Sequence, residues 1–220
     1  MSDRIEIVSV KQVAGLFELE ISALKGRLVV TADLVYRHRL KAGIVITEPQ
    51  LQQLLEESEQ ARCEQFVTLM LGRREHSVHE VRQKMYKKQF SNRAMELTLR
   101  KFTMNGLLDD HRFATNLARR TLERKPSGHM FIKAVLQRKG IDSQIAEQIT
   151  ATLLDGQDEI DLARKALERR WRSWGEIDVE TARKRAYNYL SRRGIGYQAA
   201  RAAFEELSGK FNEVSKDQDF

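Results

Sequence analysis

Apolar and polar positions change period once along this chain, near residue 46. Before that point the pattern favours strands. Phe17, Leu19 and Ile21 alternate with Glu18, Glu20 and Ser22, which is the period of two of a half-buried strand. Ile5 to Val10 mixes alternation with short apolar runs, and Leu28-Val29-Val30 starts a third strand. Ala14-Gly15 and Lys25-Gly26 supply turns. Ala32 to Leu40 suits a short helix as well as a strand, and Gly43 ends it. These segments predict a small three-stranded antiparallel flap with a short helical piece, a sheet that needs something to pack against. Thr47-Glu48-Pro49-Gln50 predicts a capping box with proline in the first turn, opening a linking helix to about Ser58 with Leu51, Leu54 and Leu55 on one face.

From about Gln60 the period is helical throughout, and it recurs in three rounds. The first has Cys63, Phe66, Val67 and Met70 on one helix ending near Gly72. Ser77 opens a second with Val78, Val81 and Met85 inward, and Ser91 opens a third with Ala94, Met95, Leu97 or Thr98, and Phe102. Gly106 stops that helix, and Asp109 and Asp110 cap the next. The second round has Phe113, Ala114, Leu117 and Ala118; then, after Pro126, Ile132, Val135 and Leu136; then, behind Asp142, Ile145, Ile149 and Leu153. The third has Leu162, Ala163, Ala166, Leu167, Trp171 and Trp174 on a long helix. Asp178 then opens a helix with Val179, Ala182, Ala186 and Leu190, and a last one carries Ala199, Ala203, Phe204 and Leu207.

Lys88-Gln89-Phe90, Lys139-Gly140-Ile141 and Arg193-Gly194-Ile195 hold the same place in the three rounds: a base, a helix stop, then an apolar residue that tucks under. Gln89 stands where the other two have glycine, which predicts a looser or different turn there. A period of about fifty residues means stacked supersecondary units. The fold class expected is therefore mainly α, with three tandem three-helix (helix-turn-helix-like) repeats forming an elongated rod behind a small β-containing flap. The boundaries are 1–58 for the flap and linking helix, 59–107, 108–156 and 157–209 for the repeats, and 210–220 for a frayed tail.

Charge sharpens this picture. Thirty-eight Lys and Arg against thirty-one Asp and Glu give a net charge of +7. The first sixty residues hold slightly more acids than bases, so the excess lies on the helical repeats. A basic surface of this size suits a polyanion or an acidic protein partner. Cys63 is the only cysteine, so no intrachain disulfide forms. The N-terminus has no apolar signal core, and no apolar run approaches the ~20 residues that span a bilayer, so the expected location is the cytoplasm.

Candidate chemistry is sparse. The sequence has no GxxxxGK[ST], GxGxxG, GxSxG or HExxH, so nothing supports nucleotide binding, a serine hydrolase or a zinc protease. His76 and His79, beside Glu75 and Glu80, have the spacing of two ligands on one helix face but no third nearby; a solvated helix start accounts for them, and no metal or cofactor is expected. Asp109 and Asp110 are helix caps rather than an acid–base pair. Trp171 and Trp174 among Arg169, Arg170 and Arg172 fit either single-strand stacking or the core seam of the third repeat. No helix shows the Asn, Gln and Arg mixture of a base reader, so sequence-neutral contact with phosphates or a filament fits better. No catalytic residues are expected.

The run Gly106-Leu107-Leu108-Asp109-Asp110-His111-Arg112-Phe113-Ala114, followed by Arg119, Lys125-Pro126-Ser127-Gly128, Ile132, Leu136 and Lys139-Gly140-Ile141, resembles the signature of the RecX family, bacterial modulators of the RecA recombinase. The resemblance covers about residues 60 to 208. It includes Arg74 to Val81 against the family's R-x-x-S-x-x-E-L, with Val81 for the usual Leu, and the closing Arg193-Gly194-Ile195. It implies a non-enzymatic negative regulator that lies in the groove of the RecA–single-stranded DNA filament and lowers filament extension, recombinase, ATPase and co-protease activities. Its implied partners are the RecA filament and single-stranded DNA, with double-stranded DNA as a further ligand; no heptad pattern argues for a coiled coil, and a monomer is expected. The basic residues expected to make that contact are Arg119, Arg120, Arg124, Lys125, Lys133, Arg138 and Lys139 in the middle repeat, with Arg169, Arg170, Arg192 and Arg193 in the last. Flexible joints between repeats would let several weak contacts act in series. The alternative is a stand-alone DNA-binding helical-repeat protein.

Overall fold

The structure, a computed structural model, describes residues 4–171, 173, 174 and 177–216, the last seven of these in their backbone alone. It divides into two compact units, Met1–Asp109 and Asp110–Phe220. None of the described helices is long and apolar enough to cross a membrane.

The first unit begins with a four-stranded antiparallel sheet, one strand more than the pattern predicts. Strands β1 (Ile5–Val13), β2 (Leu16–Ile21), β3 (Arg27–Val30) and β4 (Val45–Ile46) lie in the order β3-β2-β1-β4, with helix α1 (Ala32–Arg37) between β3 and β4. The extra strand is two residues long, too short for any period to register. Ala14 and Gly15 close the β1–β2 hairpin with φ of 50° and 83°, both positive as the favoured two-residue hairpin turn requires. A bulge between Ile7 and Ser9 turns Val8 outward while Ile5 and Ile7 stay buried.

The flap and the first repeat share one helix. The pattern suggests a break near Ser58, but α2 runs unbroken from Glu48 to Leu71. The predicted capping box is present: Gln50 N–H donates to Thr47 Oγ1 at 3.4 Å and Thr47 N–H to Gln50 Oε1 at 2.8 Å. Leu51 and Leu54 pack against the sheet, whereas Cys63, Val67 and Met70 enter the first repeat's core. Leu51 and Val67 are sixteen residues apart, which at 100° per residue puts them about 160° apart around the axis. A single helix thus buries nearly opposite sides in two successive cores, and that phase jump looks like a break in the sequence. Ser58, buried between them, donates to the Val29 carbonyl at 2.6 Å.

The three repeats are α2 with α3 (Val78–Lys87) and α4 (Asn92–Met104); α5 (Asp110–Arg124), α6 (His129–Gln137) and α7 (Ser143–Leu154); and α8 (Glu159–Trp171), α9 (Val179–Ser191) and α10 (Tyr197–Lys216). Ser77, Ser91, Asp142 and Asp178 cap their helices with side-chain oxygens, as predicted. Thr98, not Leu97, faces the first core, and Leu99 joins it. Leu108, expected to open the second repeat, is buried in the first repeat's core. Val179, expected inside, is 60% exposed. Trp174 lies beyond the end of α8 rather than on it. Helix α10 continues to Lys216, past the expected start of a frayed tail; residues 217–220 and Arg172 lie outside the described residues.

The turn between second and third helix is the same in all three repeats. Gln89, Gly140 and Gly194 are left-handed, with φ of 60°, 75° and 66°. The next amide donates back five residues: Phe90 to Met85, Ile141 to Leu136 and Ile195 to Leu190. Gln89 is thus not a departure in geometry; it accepts the glycine conformation with a side chain. An acid on the first helix then braces the start of the third. Glu59 accepts from Ser91 N–H at 2.8 Å and Glu159 from Gly196 N–H at 2.9 Å. Glu59 precedes Ser91 by 32 residues, the offset at which Asp110 precedes Asp142.

Gln89→Gly relieves this strain and raises the unfolding free energy by about 0.5–1 kcal/mol. Gly140→Ala places the strain in the second repeat and lowers it by about 1 kcal/mol. Urea midpoints of the two variants against wild type read both signs.

Candidate nucleic-acid interface

The eleven candidate cations do not form one face. Six of them gather where three helices end: Arg124 and Lys125 at the close of α5, Arg169 and Arg170 in the last turn of α8, and Arg192 and Arg193 just beyond α9. What brings these ends together is backbone contact between the second and third repeats. Gly128 N–H, at the start of α6, donates to the Arg193 carbonyl at 2.8 Å. A methyl group on Gly128 would overlap the Gly194 carbonyl oxygen, and one on Gly194 would come 2.7 Å from the Phe131 nitrogen. The two glycines are therefore needed for close approach; Gly194 additionally needs its left-handed φ. Pro126 and Ser127 beside them are buried, with Ser127 Oγ donating to the Lys125 carbonyl at 2.8 Å.

Two of the six cations, both arginines, are spent on this joint. The last carbonyls of a helix lack intrahelical partners, and basic side chains satisfy them well. Arg169 Nη1 donates to the carbonyls of Glu123 at 3.2 Å and Arg124 at 3.1 Å. Arg193 Nη1 donates to the Pro126 carbonyl at 3.4 Å and Nη2 to the Tyr189 hydroxyl at 2.9 Å, with its guanidinium 4.7 Å from the centre of that ring. The other four, Arg124, Lys125, Arg170 and Arg192, are exposed and have no ion pair among the described residues. Backbone and side-chain hydrogen bonds thus cross the joint between the second and third repeats.

The remaining candidates lie elsewhere. Arg119 and Arg120 are exposed on α5, Arg119 without an ion pair and Arg120 with its Nε on the Asn116 carbonyl at 3.1 Å. Lys133 pairs with Glu147 at 2.6 Å, and that carboxylate, held below its ordinary pKa by Lys133 and His129, faces both. Arg138 and Lys139 stand at the far end of α6, about 14 Å from Gly128 at 1.5 Å per residue, and Arg138 Nε donates to the Ala134 carbonyl at 3.3 Å. Lys133 therefore already has a carboxylate partner.

The other sequence candidates are structural. Trp171 packs on Trp174 and on Phe204, both with ring centres 5.6 Å apart, against the third repeat's core; of the two readings the core seam holds. His76 is not a solvated helix start but 4% exposed, with Nδ1 3.2 Å from Glu80 Oε2, while Arg74 Nη1 lies 3.0 Å from the same oxygen. His79 faces Gln83 instead. Among the described residues no cluster of three or more His, Cys, Asp or Glu is arranged to hold a metal.

Comparisons with known proteins agree with this architecture. Residues 109–149 match the family model of RecX, second three-helix domain, and residues 157–204 that of RecX, third three-helix domain. The regulatory protein RecX of Pelodictyon phaeoclathratiforme is 34% identical over 142 residues, which cover 64% of this chain and 86% of that protein. That of Prosthecochloris aestuarii is 33% identical over 139 residues, covering 62% and 87%. A crystal structure of regulatory protein RecX superposes with a TM-score of 0.67 at 18% identity over 91% of this chain and 99% of that chain, a likeness of fold.

Two outcomes follow from the geometry. Gly128→Ala opens the joint and costs on the order of 1–3 kcal/mol by overpacking, with faster amide exchange at residue 128 as the local readout. Burial, then the charges of Arg74 and Lys84, hold the His76 pKa below its ordinary value against the pull of Glu80. The unfolded chain takes up that proton near pH 6.5 and the folded chain resists it, so stability falls as pH drops below about 6.5. Denaturation midpoints between about pH 7.5 and 5.5 fall less for His76→Gln than for wild type.

Proposed function

We propose that this chain, which belongs to the RecX family of regulatory proteins, is a non-enzymatic negative regulator of the RecA recombinase. It acts as a monomer in the cytoplasm, lies in the groove of the RecA–single-stranded DNA filament, and inhibits filament extension, recombination, ATP hydrolysis and co-protease activity. The observation that carries this reading is the basic joint. Three helix ends offer four exposed, unpaired cations around a fixed backbone contact, next to Arg119 on the same α5. Such a surface suits a regularly spaced array of negative charge, phosphate or carboxylate, and reads no base. No cleft with convergent acid, base or nucleophile accompanies it among the described residues.

The contact residues are Arg119, Arg124, Lys125, Arg170 and Arg192. Arg169 and Arg193 act through the joint, and Lys133, already paired, contributes least.

Preformed RecA filaments on single-stranded DNA test the reading. Wild-type protein is expected to suppress DNA-dependent ATP hydrolysis, and the triple change Arg124→Glu, Arg170→Glu, Arg192→Glu to weaken that suppression at least ten-fold. A matched triple on the flap, Lys11→Glu, Lys25→Glu, Lys41→Glu, leaves it within two-fold. If wild type leaves hydrolysis unchanged, the reading is wrong. If it then binds bare DNA with steep salt dependence, a stand-alone DNA-binding protein replaces it.

A further inference from the structure

The first repeat holds none of the eleven candidate residues, yet one side of α3 carries an unusual combination. Tyr86 is 72% exposed, and among the described residues its hydroxyl has no hydrogen-bond partner and its ring meets no other ring. Arg82 lies one turn before it and Lys87 just after. Together with Gln83, and with Asn92 and Met95 of α4 opposite, these residues line an open groove of about 500 Å³. Met95 is 3% exposed and belongs to the core beneath.

The charge of this groove is one-sided. None of its lining residues is acidic. The carboxylate beside it, Glu96, accepts from both terminal nitrogens of Arg82, a pairing that lowers its pKa from the ordinary value. Lys84, Lys87 and Lys88 have no ion pair among the described residues. An exposed ring followed directly by two lysines without a carboxylate partner among the described residues fits a chain that alternates flat π faces with negative charges. Single-stranded nucleic acid is such a chain: unpaired bases stack on aromatic side chains while lysines follow the backbone. A duplex hides its base faces and offers Tyr86 nothing to stack on. A protein segment would need more apolar wall than one tyrosine ring.

We infer that the α3–α4 groove of the first repeat binds single-stranded nucleic acid, with Tyr86 stacking an unpaired base and Lys87 and Lys88 holding the phosphates beside it. The inference extends the proposed function by a second contact, remote in sequence from the basic joint. Its test needs no recombinase, so the two can fail separately.

The probe is a fluorescently labelled oligo-dT, with a hairpin duplex of similar charge as comparison, read by anisotropy against salt. Tyr86→Ala is expected to weaken oligo-dT binding about ten-fold and to leave hairpin binding unchanged. Tyr86→Phe, which keeps the stacking face, stays within two-fold of wild type. Lys87→Gln lowers the slope of log affinity against log salt by about 0.7. The side chain of Tyr86 is exposed, so these variants keep the fold, which their thermal melts verify. Oligo-dT binding by Tyr86→Ala equal to that of wild type overturns the inference, as does equal loss on oligo-dT and hairpin, or no oligo-dT binding by wild type. A Tyr86→Ala defect on RecA filaments without one on oligo-dT also overturns it and makes the groove a protein-binding surface.

Discussion

The recurrent left-handed residue after each second helix is the constraint on which the repeats depend. With 3.6 residues per turn a helix continues unless something reverses it, and a single residue at positive φ does so within one step. The amide that follows returns to the helix it has just left, and the apolar residue carrying it, Phe90, Ile141 or Ile195, turns into the core. This sets the direction of the third helix and lets its first turn meet a carboxylate of the first, Glu59 or Glu159. Each repeat therefore closes locally, through residues near in sequence, before it meets a neighbour.

In the third repeat the same turn has a second task. Gly194 lacks a side chain, so the start of α6 approaches it at backbone distance, and the Gly128 amide reaches the Arg193 carbonyl. That docking carries the ends of α8 and α9 to the end of α5, where free carbonyls carry partial negative charge. Basic side chains in these last turns have two roles that look alike in sequence. Arg169 and Arg193 point at the carbonyls and hold the joint; Arg124, Lys125, Arg170 and Arg192 remain in solvent with their charge unspent. The positive patch is a by-product of how helix ends are satisfied, and a surplus of exposed cations remains beyond that need.

Features carried by neighbours in sequence were readable directly. The caps at Thr47, Ser77, Ser91, Asp142 and Asp178, the three helical rounds and the stops at Gly140 and Gly194 all depend on residues within one turn. What escaped depends on distance. Gly128 reads as the residue after a helix-breaking proline, and nothing local says that Gly194 lies against it. Arg193 reads as one more surface base, although its partner Pro126 is 67 residues away. Helix α2 escaped because it serves two cores on opposite sides, and β4 because two residues carry no period. His76 has the look of a polar helix start, and only the packing of its loop buries it.

A protein that meets a long polymer through several weak contacts gains avidity only if those contacts can be made together. Loose repeats achieve this by searching, and each ordered joint then costs conformational entropy on binding; a joint already fixed avoids that cost but must hold the right spacing beforehand. The joint between the second and third repeats is of the second kind. Their backbones interlock through two glycines, and two arginines cross from the third repeat onto the end of α5. The spacing of the exposed cations around that joint is thus a property of the free protein. A polyanion whose charges match it loses little freedom in docking, whereas one of different spacing cannot be accommodated by bending at that point. Specificity for a particular helical array can arise in this way on a surface that reads no base.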